Sequence, residues 1–424
     1  MDPTDSTVSE PKELQGRWRW LAGGMAVILT LAVVGGLVYL RLGVSKRPDE
    51  TRGVSTVTGI DFKCRLPVIA GASGGFISFP DGAITVDPKV NVNFYKGGYG
   101  FTYDAQVGKW VPVPKSALSP DGRYYAYLAQ TTGVPGETAS MSLHTHEIAS
   151  GKDRVLWEGG GSPMGPNFVT WLPGGIYFST VLGDATGPVG PVFPAIYVAD
   201  PNKPGTPRRV GPNPAPQPPS PGQSNFSGPD VFTLVGGGAA WATGQRIQTG
   251  VPSPDKPPAP GTFGPDRIIR MDLRDGSVST WYSVSTTELV SLAGLDEQGR
   301  PILALFQPTF KNDAAALNGP PAVRMLLLTG AGQTTEITSA NPDFHPGTSP
   351  SADSHGIWFG SWNSLWLYTQ GAGFRQVATI PAGVFPSPSP PPMNLQKGPM
   401  PSGAGPAMPS YMQGTLVTPA GSCT

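Results

Sequence analysis

The chain carries only four histidines, and each stands near a carboxylate or a second imidazole. His144 and His146 occupy alternate positions of an extended run, so their rings share one face of a strand. Two imidazoles so placed can chelate a metal ion, or can sit locally hydrogen-bonded on a solvated sheet. Asp343-Phe-His345 and Asp353-Ser-His355 each place an acid two residues ahead of a histidine. Asp343, His345, Asp353 and His355 flank a run that reads as the first strand of a repeat, which makes them candidates for a site at a channel mouth. Metal binding or proton transfer would be their chemistry. Nothing in the spacing brings the three pairs together.

Gly71-Ala-Ser73-Gly-Gly75 matches the G-x-S-x-G pattern of a serine-hydrolase elbow. That elbow needs a helix after the serine, whereas Phe76-Ile-Ser-Phe continues as strand, so the segment reads as a loop entering the first repeat. Paired carboxylates, Cys-x-x-Cys, phosphate loops and dinucleotide fingerprints do not occur. The sequence therefore assigns no catalytic residue, no metal ligand and no cofactor. Asn225-Phe-Ser227 is a formal glycosylation sequon, relevant only in a eukaryotic host.

The elements that must position these groups are strands. Charged residues make up 14% of the chain while Gly numbers 57 and Pro 50, a balance that favours tight turns over helices. A unit of strand, Gly turn and strand recurs. It appears as Gly75–Pro88, Ser116–Leu128, Phe168–Thr180, Val231–Thr243, Leu289–Phe306 and Ser349–Gly360. A second hairpin follows each time, over Phe101–Val113, Ser142–Trp157, Ile196–Val210, Ile268–Tyr282, Val323–Ile337 and Ser364–Val377. Two hairpins make a four-stranded antiparallel sheet, and about six such sheets predict an all-β fold, a β-propeller of about six blades. Trp110, Trp157, Trp281, Trp171, Trp241 and Trp358 recur at related places and read as packing between blades.

The stretch Leu118–Tyr127 (LSPDGRYYAY) resembles the first hairpin of TolB-type propeller repeats. Asp353–Gly371 resembles the repeats in sensor domains of two-component regulators, and Arg267–Trp281 is similar to repeats of virginiamycin-lyase-like propellers. Each likeness covers one blade. Together they imply a six-bladed propeller, with binding or sensing a commoner role than catalysis.

Trp20 to Leu40 runs without a charge, long enough at about 1.5 Å per residue to cross a hydrocarbon core of about 30 Å. It ends Val38-Tyr39-Leu40-Arg41 rather than at small residues, so an uncleaved signal anchor is expected rather than a cleaved peptide. The expected order is a cytoplasmic tail over 1–19, a transmembrane helix over 20–41, a spacer over 42–63, the propeller over 64–380, and a Pro-rich tail over 381–424 that returns to close it. Cys64 and Cys423 bracket the soluble part and read as a staple between its ends, which persists only in an oxidising compartment. An extracytoplasmic location follows, single-pass in the cell membrane. Three Pro-rich insertions, Gly211–Gln223, Gly250–Pro265 and Phe385–Pro409, should be extended surface loops.

Lys plus Arg and Asp plus Glu both number 29, so no electrostatic case for nucleic acid exists. The expected function is a binding or sensing scaffold for a protein or an envelope glycan. A propeller-type lyase or hydrolase and a structural envelope protein stand beside it.

Overall fold

The computed structural model describes residues 51–71, 73–91, 101–131, 140–160, 168–180, 195–211, 231–245, 265–285, 288–306, 323–341, 344, 349–385 and 415–424. The Trp20–Leu40 segment, Asp343, His345 and most of the Pro-rich insertions lie outside them. Among the described residues no helix is long and apolar enough to cross a membrane.

The described chain is all-β. Its strands form six sheets of three to five strands and one two-stranded ribbon, every pairing antiparallel. In spatial order, sheet I contains Thr51–Val54, Ala83–Asn91, Ser73–Phe79, Cys64–Ala70 and Val417–Pro419. Sheet II contains Asp153–Gly160, Ser140–Glu147 and Tyr124–Thr131, with Leu118 bridging to Tyr125 as its innermost rung. Sheets III, IV and V are four-stranded and follow chain order: Val169–Leu172 to Arg208–Val210, Val231–Gly236 to Val278–Ser283, and Leu289–Leu295 to Gln333–Asn341. Sheet VI contains Thr56–Val57, Gly373–Thr379, Ser364–Thr369, Gly356–Ser361 and Ser351–Asp353.

The alternation read from sequence explains the packing. Odd and even positions of a strand face opposite ways, so each sheet can lend one apolar face to the sheet before and one to the sheet after. Leu143, Leu128 and Leu156 of sheet II pack with Val169, Ile176 and Phe178 of sheet III. Val198 and Tyr177 of III pack with Val235 and Met271 of IV, and Trp241 and Ile268 of IV with Leu303 and Leu326 of V. Ile302 and Met325 of V meet Phe359 and Trp366 of VI, and Trp358 and Leu367 of VI meet Leu66 and Ile77 of I. Sheets II to VI thus stack face to face in turn, and the last stacks on the first, a propeller-like arrangement.

Two segments differ from the sequence reading. Phe101–Val113 does not complete sheet I. Thr102–Asp104 and Lys109–Val111 form the separate ribbon, wedged between sheets I and II by Phe76 against Tyr103 and Trp110 on one side and by Val111 among the sheet II apolar residues on the other. Cys64–Ala70, which no repeat includes, pairs with Ser73–Phe79 on the inner side of sheet I, with Val417–Pro419 innermost. Residues 51–63, read as spacer, are built into the fold, because Thr51–Val54 and Thr56–Val57 pair with the outer strands of sheets I and VI in turn. Their polar composition suits edge strands, whose outer faces stay wet. Between the two, the Ser55 amide and hydroxyl both donate to the Gly82 carbonyl, at 2.8 and 3.0 Å. Gly82 has φ +74°, and a Cβ there would meet the Ser55 carbonyl oxygen, so only glycine fits.

The end of the chain returns to its beginning. Val417–Pro419 pairs with Ala70 to Val68, and the Arg65 amide donates to the Thr424 carbonyl at 2.8 Å. Cys64 and Cys423 are joined as a disulfide across a sequence separation of 359, with Cα atoms 5.4 Å apart. Phe385, the last described residue before the long insertion, is fully buried beside them.

Candidate functional site

Of the four channel-mouth candidates, Asp343 and His345 lie outside the described residues. Asp353 ends the inner strand of sheet VI and is buried. Its Oδ2 accepts the Trp358 indole N–H at 2.9 Å and the Cys423 amide at 2.7 Å, while Oδ1 accepts the His355 amide at 2.9 Å. The carboxylate is occupied in tying the C-terminus to sheet VI. His355 stacks on Phe62 at 4.4 Å between centroids. Beside them the Lys115 ammonium donates to the Ala352 carbonyl and to Ser422 Oγ, each at 2.9 Å. Burial lowers the pKa of Lys115, and the charges of Asp353 and Glu297 oppose that shift. Lys115 went unseen in the sequence, where it sits in an unremarkable Val-Pro-Lys-Ser run.

Ser73 is buried inside Ser73–Phe79, so the G-x-S-x-G match carries a strand residue and no exposed nucleophile.

His144 and His146 do share a face of sheet II. Cross-strand register sets Tyr125 opposite His146 and Tyr127 opposite His144, and each pair stacks, at 4.8 and 4.9 Å between centroids. On the other side Asp153 is the register partner of His146. His144 Nδ1 lies 2.7 Å from Asp153 Oδ2, and His146 Nδ1 lies 3.5 Å from Oδ1. The Tyr127 hydroxyl donates to the same Oδ1 at 3.1 Å. Ser142, two residues before His144, places Oγ 2.7 Å from His144 Nε2. Among the described residues no group of three or more His, Cys, Asp or Glu side chains is arranged to hold a metal ion. The two imidazoles sit in a hydrogen-bonded and stacked array.

Burial pushes the Asp153 carboxyl up, but hydrogen bonds from His144, Tyr127 and His146 outweigh it and hold the group below its usual range. Burial, the hydrogen bond to Asp153 and the Asp153 charge push the Tyr127 phenol up to about 12. Its neutral form is the one the fold favours. That stabilisation is therefore complete below the ordinary tyrosine value of 10.0 and is lost as pH climbs through about 12. Phenolate absorbance should show Tyr127 as a late-titrating tyrosine, and Asp153→Asn should bring it part of the way back while the burial contribution stays. An unchanged titration in that variant would mean that Asp153 does not govern the phenol.

The opposite face of sheet II opens on a cleft of about 430 Å³ shared with sheet III. Tyr124 and Trp171 form its aromatic wall, with centroids 6.3 Å apart and planes inclined by 32°. Asp121, Glu147, Lys152, Arg154 and Asn202 line the rest. Ser119 Oγ donates to Asp121 Oδ1 at 2.6 Å, and that bond, with the Arg123 amide, holds the Asp121 carboxyl below its usual range. The Ser150 hydroxyl donates to Glu147 Oε2 at 2.6 Å, and Arg154 Nη2 reaches the Asn202 carbonyl at 2.9 Å. Strands and tight turns carry every one of these groups, so their positions are fixed by backbone pairing. Trp171, expected to pack between blades, is half-buried, packing on the core between sheets II and III while also facing this cleft.

No family model matches the chain, and no curated protein resembles it. Solved structures resemble it at about one residue in ten. A prolyl endopeptidase is 10% identical with a TM-score of 0.40 over 81% of this chain and 53% of that one. The chain thus spans about half the length of that enzyme. The β-propeller domain of the Trilobed protease from Pyrococcus furiosus is 10% identical, TM-score 0.37, over 75% of this chain and 85% of that chain. Oligogalacturonate lyase from Vibrio parahaemolyticus is 10% identical, TM-score 0.39, over 77% of this chain and 91% of that chain. At these values neither activity nor substrate passes from them to this protein.

Proposed function

We propose that the protein is a membrane-anchored, extracytoplasmic β-propeller of six blades that binds a glycan of the cell envelope in the cleft between sheets II and III. The cleft carries the reading. A sugar ring presents apolar C–H faces and a rim of hydroxyls, and Tyr124 with Trp171 offers ring faces to the first while Asp121, Glu147, Arg154 and Asn202 offer acceptors and donors to the second. The uncharged Trp20–Leu40 run supports the anchor, and the Cys64–Cys423 disulfide supports an oxidising compartment. Six face-to-face sheets, and single-blade likenesses to TolB-type and regulator-sensor repeats, support the blade count.

Calorimetry of the purified full chain against isolated envelope polysaccharides and their oligosaccharides tests this. Binding is expected to weaken about tenfold in Trp171→Ala, the scale of a truncated aromatic anchor, and by a similar factor in Tyr124→Ala. Absence of binding to every envelope glycan, or binding indifferent to Trp171, would remove the reading.

A further inference from the structure

We propose that Ser142, His144 and Asp153 form a hydrolytic relay on the face of sheet II that carries His144 and His146, acting on short-chain carboxylic esters. This site lies on the face opposite the glycan cleft and stands independently of it.

The geometry has three parts. Ser142 and His144 alternate along Ser140–Glu147, so both side chains project from one face. Asp153 opens the neighbouring strand, and its Oδ2 lies 2.7 Å from His144 Nδ1. A carboxylate at that distance places a proton on Nδ1, so the neutral ring has its lone pair on Nε2. To that neutral ring Ser142 Oγ, 2.7 Å from Nε2, is the donor, and the hydroxyl is polarised towards a base oriented by an acid. Three further contacts hold the array still: Tyr127 Oη on Asp153 Oδ1 at 3.1 Å, His146 Nδ1 on the same oxygen at 3.5 Å, and the Tyr127 ring stacked on His144. Across from His144 and Leu143 the Asp153–Gly160 strand is bulged between Val155 and Trp157, an irregularity that re-aims side chains at its site. Ser142 and His144 are each half-buried, within reach of an ester on a small molecule or on a polymer side group.

In the reaction Ser142 Oγ bonds to the ester carbonyl carbon while its proton passes to His144 Nε2. The tetrahedral oxyanion collapses, the bond from carbon to the alkoxy oxygen breaks, and the alcohol leaves with that proton. Water then repeats the sequence on the acyl-serine, releasing the carboxylic acid and restoring the hydroxyl. Asp153 stays ionised throughout and steadies the imidazolium.

The test treats the purified full chain with a fluorophosphonate probe and with p-nitrophenyl acetate, and maps the labelled residue by mass spectrometry. Labelling at Ser142 and ester turnover are expected, both retained in Ser73→Ala. Ser142→Ala should lower turnover about 100-fold or more with an unchanged melting temperature, and Asp153→Asn should lower turnover by a similar factor. Absence of label on Ser142 in the native chain, which needs no variant to fold, would overturn the proposal. So would ester turnover that survives Ser142→Ala.

Discussion

Cys423→Ser should melt about 12 °C below the native chain. The disulfide closes a loop of 359 residues, and restricting an unfolded chain of that span stabilises the fold by about 6 kcal/mol. Unfolding entropies of about 2 cal/mol/K per residue, summed over the described residues of 51–424, turn that free energy into a shift of about 12 °C. A reduced native sample should match the variant, since both lose the same bond. Thermal melts with and without reductant check it. Coincident curves would mean that the pairing of Val417–Pro419 with Cys64–Ala70 closes the fold unaided.

Asp353→Ala should cost about 3–5 kcal/mol, read as a fall in the urea midpoint. Two donors then lose their acceptor in the interior, the Trp358 indole and the Cys423 amide, and hydrogen bonds to a charged group are worth about 1.5–3 kcal/mol each. Lys115, whose pKa the Asp353 charge supports, would keep its burial without that support. Asp353→Asn should fall between native and Ala, because its amide retains one acceptor but turns an N–H towards a donor. A loss under about 1 kcal/mol in Asp353→Ala would show that the C-terminus is held by other contacts.

Period-two alternation is enough to read the described chain as all-β and to pair most hairpins, because half-buried strands print their burial directly into the sequence. It failed where partner choice decides the outcome. Phe101–Val113 alternates as well as any hairpin, yet it forms a ribbon, and Thr51–Val54 takes the place beside Ala83–Asn91 that this hairpin was expected to take. Thr51–Val57 has almost no apolar pattern, being an edge element with one wet side.

The histidines show the same limit at a site. His144 and His146 were visible as a pair, but their partners were not. Asp153 comes to them only through the register of the next strand, and Tyr127 only through that of the previous one. Trp171 had the composition of a core residue, and whether an aromatic ring ends inside a seam or on its lip depends on how two sheets diverge. That divergence is a tertiary property with no local signature.

The N-terminal strap over Thr51–Val57 has a mechanical consequence. It pairs first with the outer strand of sheet I and then with the outer strand of sheet VI, and Ser55 is pinned at Gly82 between them. Tension entering the chain at residue 50 would meet these antiparallel edge pairings before anything else and would peel them bond by bond. The Ser55 latch would give way after Thr51–Val54, and Thr56–Val57 after that. Only beyond Cys64 does the pull reach a strand paired on both sides and cross-linked to the chain end. The strap can therefore release under load while the stacked sheets stay closed, so a pull at this end would extend the chain in short steps before it reached the stacked sheets.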